Sequence, residues 1–366
     1  MRFSIFLDHV LRRSRRQIVR YNSFQELIFH FQSLSEDDKK AFLTQALATP
    51  GGEADTSPAP APGTDGTPAE AVRCPHCHAR PRRHGHAGNE AQRYFCPNCR
   101  RTFCASTGTV LEHTLKPRST WELLIRCMVE RRTVRDAAET CGICRTTSLL
   151  WRHRILDSLQ SMMDSVRMDG VVEADETFFR LSYKGNHSGG GFAMPRAAHR
   201  RGGDVHTRGL SQEQVCVPTA VTREGLSVGR GGCLGAASRE AVRRVFEGHI
   251  GEQATLCTDS HKACGYLAAM LKVRHVAVET GRHMRGGLGI QCVGAYHAHL
   301  KSMVEDRFRG VATKYLNNYI VWHSFAGHAR ESFEERLTIL SRFLSVNICR
   351  SRCLEIPKRN PVPVLV

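Results

Sequence analysis

Apolar and polar positions along this chain change their period from block to block, and the changes mark the elements. Residues 171–179, Val-Val-Glu-Ala-Asp-Glu-Thr-Phe-Phe, read as a strand interrupted by acids. Two further apolar runs, 214–221 and 226–229, flank the turn Arg223-Glu224-Gly225 and predict a hairpin. Residues 238–250 show helical spacing, with Val242, Val245 and Phe246 on one face. After them come a strand at 254–258, a helix at 261–271, a strand at 273–278 and a helix at about 293–306. Upstream, 119–160 reads as helices with a break near Cys141-Gly142. Residues 1–47 hold short amphipathic helices, and the Pro- and Ala-rich stretch 48–71 reads as a flexible linker that cannot build a core. The Gly-, Arg- and His-rich stretch 184–212 is expected to form a basic loop between strands.

Charge points to the partner. The chain has 366 residues and carries 52 Lys and Arg against 35 Asp and Glu, a net charge of +17. That balance favours a polyanion, of which nucleic acid is the commonest. No apolar run approaches the ~18 residues a membrane span needs. The Met1–Asp8 start lacks the cleavage site of a signal peptide, so a cytoplasmic, nucleoid-associated protein is expected. The 15 cysteines are odd in number and suit a reducing compartment better than a disulfide framework.

Four of those cysteines form two C-x-x-C knuckles, Cys74/Cys77 and Cys96/Cys99. Each knuckle supplies two thiolates from a tight turn, and two knuckles complete a tetrahedron around Zn²⁺. A module this small gains much of its folding energy from the metal. Basic residues around it, among them Arg82, Arg83, Arg93 and Arg100, suit contact with phosphates. A third C-x-x-C pair, Cys141 and Cys144, has no companion knuckle and is read as structural.

Residues 133–147 read as helix, Gly-containing turn, helix, the outline of a helix-turn-helix. Arg145 at the start of the second helix is placed near bases, and Arg152 and Arg154 further along near phosphates.

From residue 170 the elements run strand, strand, strand, helix, strand, helix, strand, helix, the order of a ribonuclease-H-like fold. Asp175 lies on the first strand and Asp259 ends the fourth. Acids at such positions carry a desolvation cost unless they have partners or ligands. On neighbouring strands the two carboxylates converge, and a Mg²⁺ or Mn²⁺ pair held there would act on a phosphodiester. By the period of two, Glu173 shares the Asp175 face and is a possible helper, whereas Glu176 points to the opposite face and reads as structural.

The sequence resembles the transposases of the IS1595 family, with their ISXO2-like catalytic domain, over about residues 72–325. The resemblance rests on the cysteine knuckles and on 169–178, Arg208-Gly209-Leu210-Ser211, Leu256-Cys257-Thr258-Asp259, Arg285-Gly286-Gly287, 295–301 and 308–319. It implies DNA cleavage and strand transfer at insertion-sequence ends, with transposon-end and target DNA as partners and action as a homo-oligomer. Its acids map onto Asp175 and Asp259, and its basic helix position onto Lys301. One position departs: seven residues before Lys301 the family offers Asn or an acid, and this chain has Gly294. His297 shares roughly that helix face and is the substitute ligand, although imidazole suits Mg²⁺ poorly. The alternative is a DNA-binding relic in which Gly294 has abolished catalysis.

The expected organisation is an N-terminal helical segment (1–47), a linker (48–71) and a zinc ribbon (72–112). A helix-turn-helix-like DNA-binding segment (119–160), an α/β ribonuclease-H-like core (169–325) and a C-terminal tail (326–366) follow.

Overall fold

A computed structural model describes residues 72–87, 91–186, 193, 209–259, 262–279, 284–285, 287–328, 333–346, 349 and 351–362. The helices expected in 1–47, the linker and most of the basic 184–212 loop lie outside the described residues. The chain divides into two compact units, one ending at residue 107 and including 112–117, the other comprising 108–111 and everything from Arg118.

The first unit is a three-stranded antiparallel meander of β1 (Arg82–His86), β2 (Gln92–Phe95) and β3 (Thr102–Cys104). Its core is minute: Cys74, Cys96, Tyr94 and Phe103 are buried, with the two rings stacked 5.5 Å apart. Every residue of β1 is exposed. A core this size does not hold a fold without a further source of stability.

The second unit is a mixed α/β body. It starts with α1 (Arg118–Val129), α2 (Val134–Cys141) and α3 (Arg145–Met163). Its sheet contains β4 (Val171–Arg180), β5 (Gln214–Thr222), β6 (Ser227–Gly229), β7 (Cys233–Leu234), β8 (Thr255–Asp259) and β9 (Arg274–Val278). The spatial order is β6-β5-β4-β8-β9, with β7 also on β5. β4, β5 and β6 are antiparallel neighbours, while β8 and β9 run parallel to β4. The hairpin read from the sequence is β5–β6, turning at Gly225, whose φ of 95° needs a glycine. α4 (Arg239–Phe246) buries the Val242, Val245 and Phe246 face and is capped by the Ser238 hydroxyl on the Ala241 N–H. α5 (Lys262–Leu271) joins β8 to β9, and a small hairpin of β10 (Met284–Arg285) and β11 (Leu288–Gly289) precedes α6 (Gln291–Lys301). A π-helical turn at Ser302–Arg307 follows, then α7 (Leu316–His328) and α8 (Phe333–Val346).

The helix-turn-helix outline is present, capped at Thr133 and closed by Gly142 in the left-handed conformation. It is no separate body. α3 is buried along most of its length, packs on α7, and stacks Trp151 on Trp121 of α1 at 3.8 Å. Nor does the C-terminal stretch stand apart. Leu340, Leu344, Cys349 and Ile356 join the main core, and Arg359 forms an ion pair with Asp157 of α3.

Candidate metal centres

The two knuckles share one backbone design. In the first, the Ala79 and Cys74 carbonyls accept from the Cys74 and His78 N–H groups; in the second, Arg101 and Cys96 do the same for Cys96 and Arg100. Both turns end on a left-handed residue, His78 (φ 59°) and Arg100 (φ 56°). The result points four sulfurs at one centre, with Cys74–Cys99 at 3.6 Å and Cys77–Cys96 at 3.4 Å. These separations are too long for disulfides and close to the ~3.8 Å edge of a tetrahedron with Zn–S bonds of ~2.3 Å. The hydrogen bond from Asn98 holds the Cys77 thiol below its usual range. Burial pushes the Cys99 thiol up, and the neighbouring sulfurs add to the effect. Such a cluster ionises together only around a cation, so the residues fit Zn²⁺.

The acidic site is assembled from remote segments. β4 and β8 pair in parallel as far as Ala174 and Thr258, so Asp175 and Asp259 are the next residues on adjacent strands. Asp175, Glu176 and Asp259 bring one carboxylate oxygen each to within 4.8 Å of the others. The sequence reading placed Glu176 on the opposite strand face, whereas the structure brings its carboxylate close to the two aspartates. β8 no longer pairs with β4 past Ala174, while β5 continues alongside with Pro218 opposite Glu176. The Asp175 carboxylate also accepts from the Glu176 N–H at 2.8 Å.

His297 approaches Asp175 from α6, although it does not lie within 4.8 Å of all three acids. Its Nε2 bonds to the Thr219 hydroxyl, which itself donates to the Asp175 carbonyl at 3.1 Å. Since the hydroxyl proton is used there, Nε2 carries the imidazole proton and Nδ1 keeps its lone pair. Nδ1 lies 3.8 Å from Asp175 Oδ2. Burial, with the nearby Lys301 charge, lowers the His297 pKa to about 4, so the ring is neutral at neutral pH and this contact is no ion pair. A lone pair facing a carboxylate fits a shared cation: donors ~2.1 Å from one ion stand roughly 3–4.2 Å apart. Thr219 was not singled out from the sequence; its signal is its place opposite Asp175 in the β4–β5 register.

Lys301 is one turn beyond His297 and exposed. Gly294 is exposed, and a Cβ built on it meets nothing within 4 Å. Glu173 does not join the acids; its carboxylate accepts from the Cys292 and Val293 N–H groups instead.

Of the three arginines that the helix-turn-helix outline places on DNA, only Arg145 is exposed. Arg152 is fully buried: it donates to the Arg132 carbonyl at 2.7 Å and lies over the Trp322 ring at 5.1 Å. Arg154 is 7% exposed and donates to the Thr109 carbonyl at 3.1 Å. Neither faces a phosphate, because the helix that carries them has no free side at their level. No helix among the described residues is long and apolar enough to cross a membrane.

Comparison with known proteins finds a match for part of the chain. The profile of the ISXO2-like transposase domain matches residues 167–325. A protein described as an uncharacterized protein in transposable element ISH50, from Halobacterium salinarum, is 24% identical over 252 residues, covering 68% of this chain and 83% of that protein. A crystal structure of a pre-cleavage Mos1 transpososome aligns with 64% of this chain and 81% of its own, at 9% identity and a TM-score of 0.25, a likeness too slight to argue from. The domain profile thus identifies residues 167–325 as similar to the ISXO2-like transposase domain.

Proposed function

We propose that this chain is an insertion-element transposase that cleaves and joins DNA strands with divalent metal bound at Asp175, Glu176, Asp259 and His297. The observation that carries this is the meeting of three carboxylates from β4 and β8 beside a neutral imidazole whose free nitrogen faces Asp175. The sheet order, three antiparallel strands followed by two parallel ones, supports a ribonuclease-H-like core.

Mg²⁺ or Mn²⁺ bound there would lower the pKa of a water or 3′-hydroxyl and offset charge on the leaving oxygen. The chain's part is placement. Asp175 and Asp259 set the spacing of the site, Glu176 closes its end, and Thr219 fixes the His297 ring. Lys301, exposed one turn on, suits a phosphate next to the scissile bond. Arg145 and the exposed basic strand β1 suit contacts to end or target DNA. The four-cysteine cluster would hold structural Zn²⁺. Paired transposon ends call for a homo-oligomer on DNA, in the cytoplasm. The relic reading draws on Gly294 alone, and His297 and Glu176 supply the ligands that Gly294 does not.

The test is cleavage of the element's own terminal DNA by the zinc-loaded full chain. Metal-dependent nicking, abolished in Asp175→Ala and Asp259→Ala, is expected. Equal nicking in wild type and both variants would refute the assignment.

A further inference from the structure

Glu173 is buried, 2% exposed, as the third residue of β4, opposite Val221 on one side and Cys257 on the other. A carboxylate there needs partners, and it finds them on another element. Its Oε2 accepts from the Cys292 N–H at 2.6 Å and the Val293 N–H at 3.2 Å. Those are first-turn donors of α6, which no intrahelical carbonyl can reach. Ile290, at the N-cap, offers no side-chain cap of its own. The strand thus caps the helix from outside, with negative charge at the positive end of the helix dipole.

The second contact between the same two elements is His297 beside Asp175. From Glu173 to Asp175 is two residues of strand, and from Cys292 to His297 is five residues of helix. At ~3.3 Å per strand residue and ~1.5 Å per helix residue, the two paths are about 6.6 and 7.5 Å long. They nearly match, so the strand and the helix are clamped at both ends of one short parallel span. A slip of one helix residue would rotate His297 by ~100° away from Asp175, and the cap opposes that slip.

We infer that Glu173 is a positioning residue: by holding the N-terminus of α6 it sets the register that puts His297 Nδ1 on the metal face of Asp175. The inference rests on the metal-site reading above. It predicts that Glu173 tunes metal affinity without touching metal, as partners that orient ligands do.

The experiment is Mn²⁺ binding to the zinc-loaded full chain, followed by electron paramagnetic resonance, together with amide hydrogen exchange at Cys292 and Val293. In Glu173→Ala the Mn²⁺ midpoint should rise about tenfold or more. Exchange at the two amides should quicken by about tenfold or more. Glu173→Gln should stay near wild type, because its amide oxygen still accepts from both N–H groups. Glu173→Asp, a methylene too short, should behave like alanine and serves if the alanine variant does not fold. Val242→Ala, a core change remote from the site, is the control for mere destabilisation. The inference is overturned if the alanine and aspartate variants bind Mn²⁺ as wild type does, if Val242→Ala weakens binding equally, or if the glutamine variant fails as the alanine one does. Unchanged binding in Asp175→Ala would instead strike the metal-site reading, and the exchange rates, which need no metal, would still decide whether Glu173 holds the helix.

Discussion

The two candidate metal centres in this chain are built in opposite ways. The cysteine cluster takes all four ligands from two tight turns, and its surroundings bury little besides the ligands themselves. The acidic site takes its ligands from β4, β8 and α6, and the large core beneath them holds those elements together whether or not metal is bound. On the proposed reading, metal would make the fold in the first, and the fold would make the metal site in the second. Loss of a ligand should therefore cost structure in one and chemistry in the other.

The strongest test of that contrast is chelation. Removing zinc, or substituting Cys96→Ser, should unfold residues 72–104 while the second unit keeps its cooperative melt, as two-domain calorimetry or amide exchange would show. If the cysteine unit stayed folded without metal, the contrast would fail. Next, Asp175→Ala should leave the melting temperature near wild type yet reduce cleavage by about a thousandfold or more, since metal ions supply several kcal/mol of transition-state stabilisation.

The arginines sharpen the same point inside the second unit. Arg152→Ala leaves a cavity and unsatisfied backbone and should destabilise the fold by about 2–4 kcal/mol in denaturant unfolding. Arg145→Ala should leave stability alone and reduce the salt slope of DNA binding by about one unit. Equal stability of the two variants would contradict the burial of Arg152.

Acid offers a gentler probe. Burial holds His297 and His323 at about 4, against an ordinary 6.5. Between those values the unfolded chain binds protons that the folded chain refuses. Stability is thus full above about pH 6.5 and falls as pH drops toward 4. His323→Gln and His297→Gln should each flatten part of that slope in chemical denaturation series. The smallest effect belongs to Gly294→Asn. Its Cβ meets open space, so it should fit and stabilise α6 by a few tenths of a kcal/mol. A gain in Mg²⁺-supported cleavage relative to Mn²⁺ would mark it as a restored ligand.

Legibility in the sequence follows the same division. The four cysteines could be read because their spacing is the site. The β4–β8 pairing could be read too, since the runs that carry Asp175 and end in Asp259 define both strands. Glu176 could not, because alternation along β4 puts it on the face opposite Asp175, and nothing local shows that its carboxylate comes near the two aspartates. Arg152 and Arg154 were placed on DNA by assuming that a basic helix after a Gly turn has a solvent face. The packing of α3 against α1, α7 and the C-terminal residues removes that face, and nothing local in 145–163 announces it. Glu173 read as a possible helper because it shares a strand face with Asp175; only the position of α6 shows where its carboxylate goes.

The central claim is that the acids and His297 form one divalent-metal site, and pulsed electron paramagnetic resonance of Mn²⁺ on the zinc-loaded chain tests it most directly. The account predicts saturable binding that disappears in Asp175→Ala, with a histidine-nitrogen coupling that disappears in His297→Gln. Saturable binding that survives Asp175→Ala, or that shows no histidine nitrogen in the wild type, would contradict it.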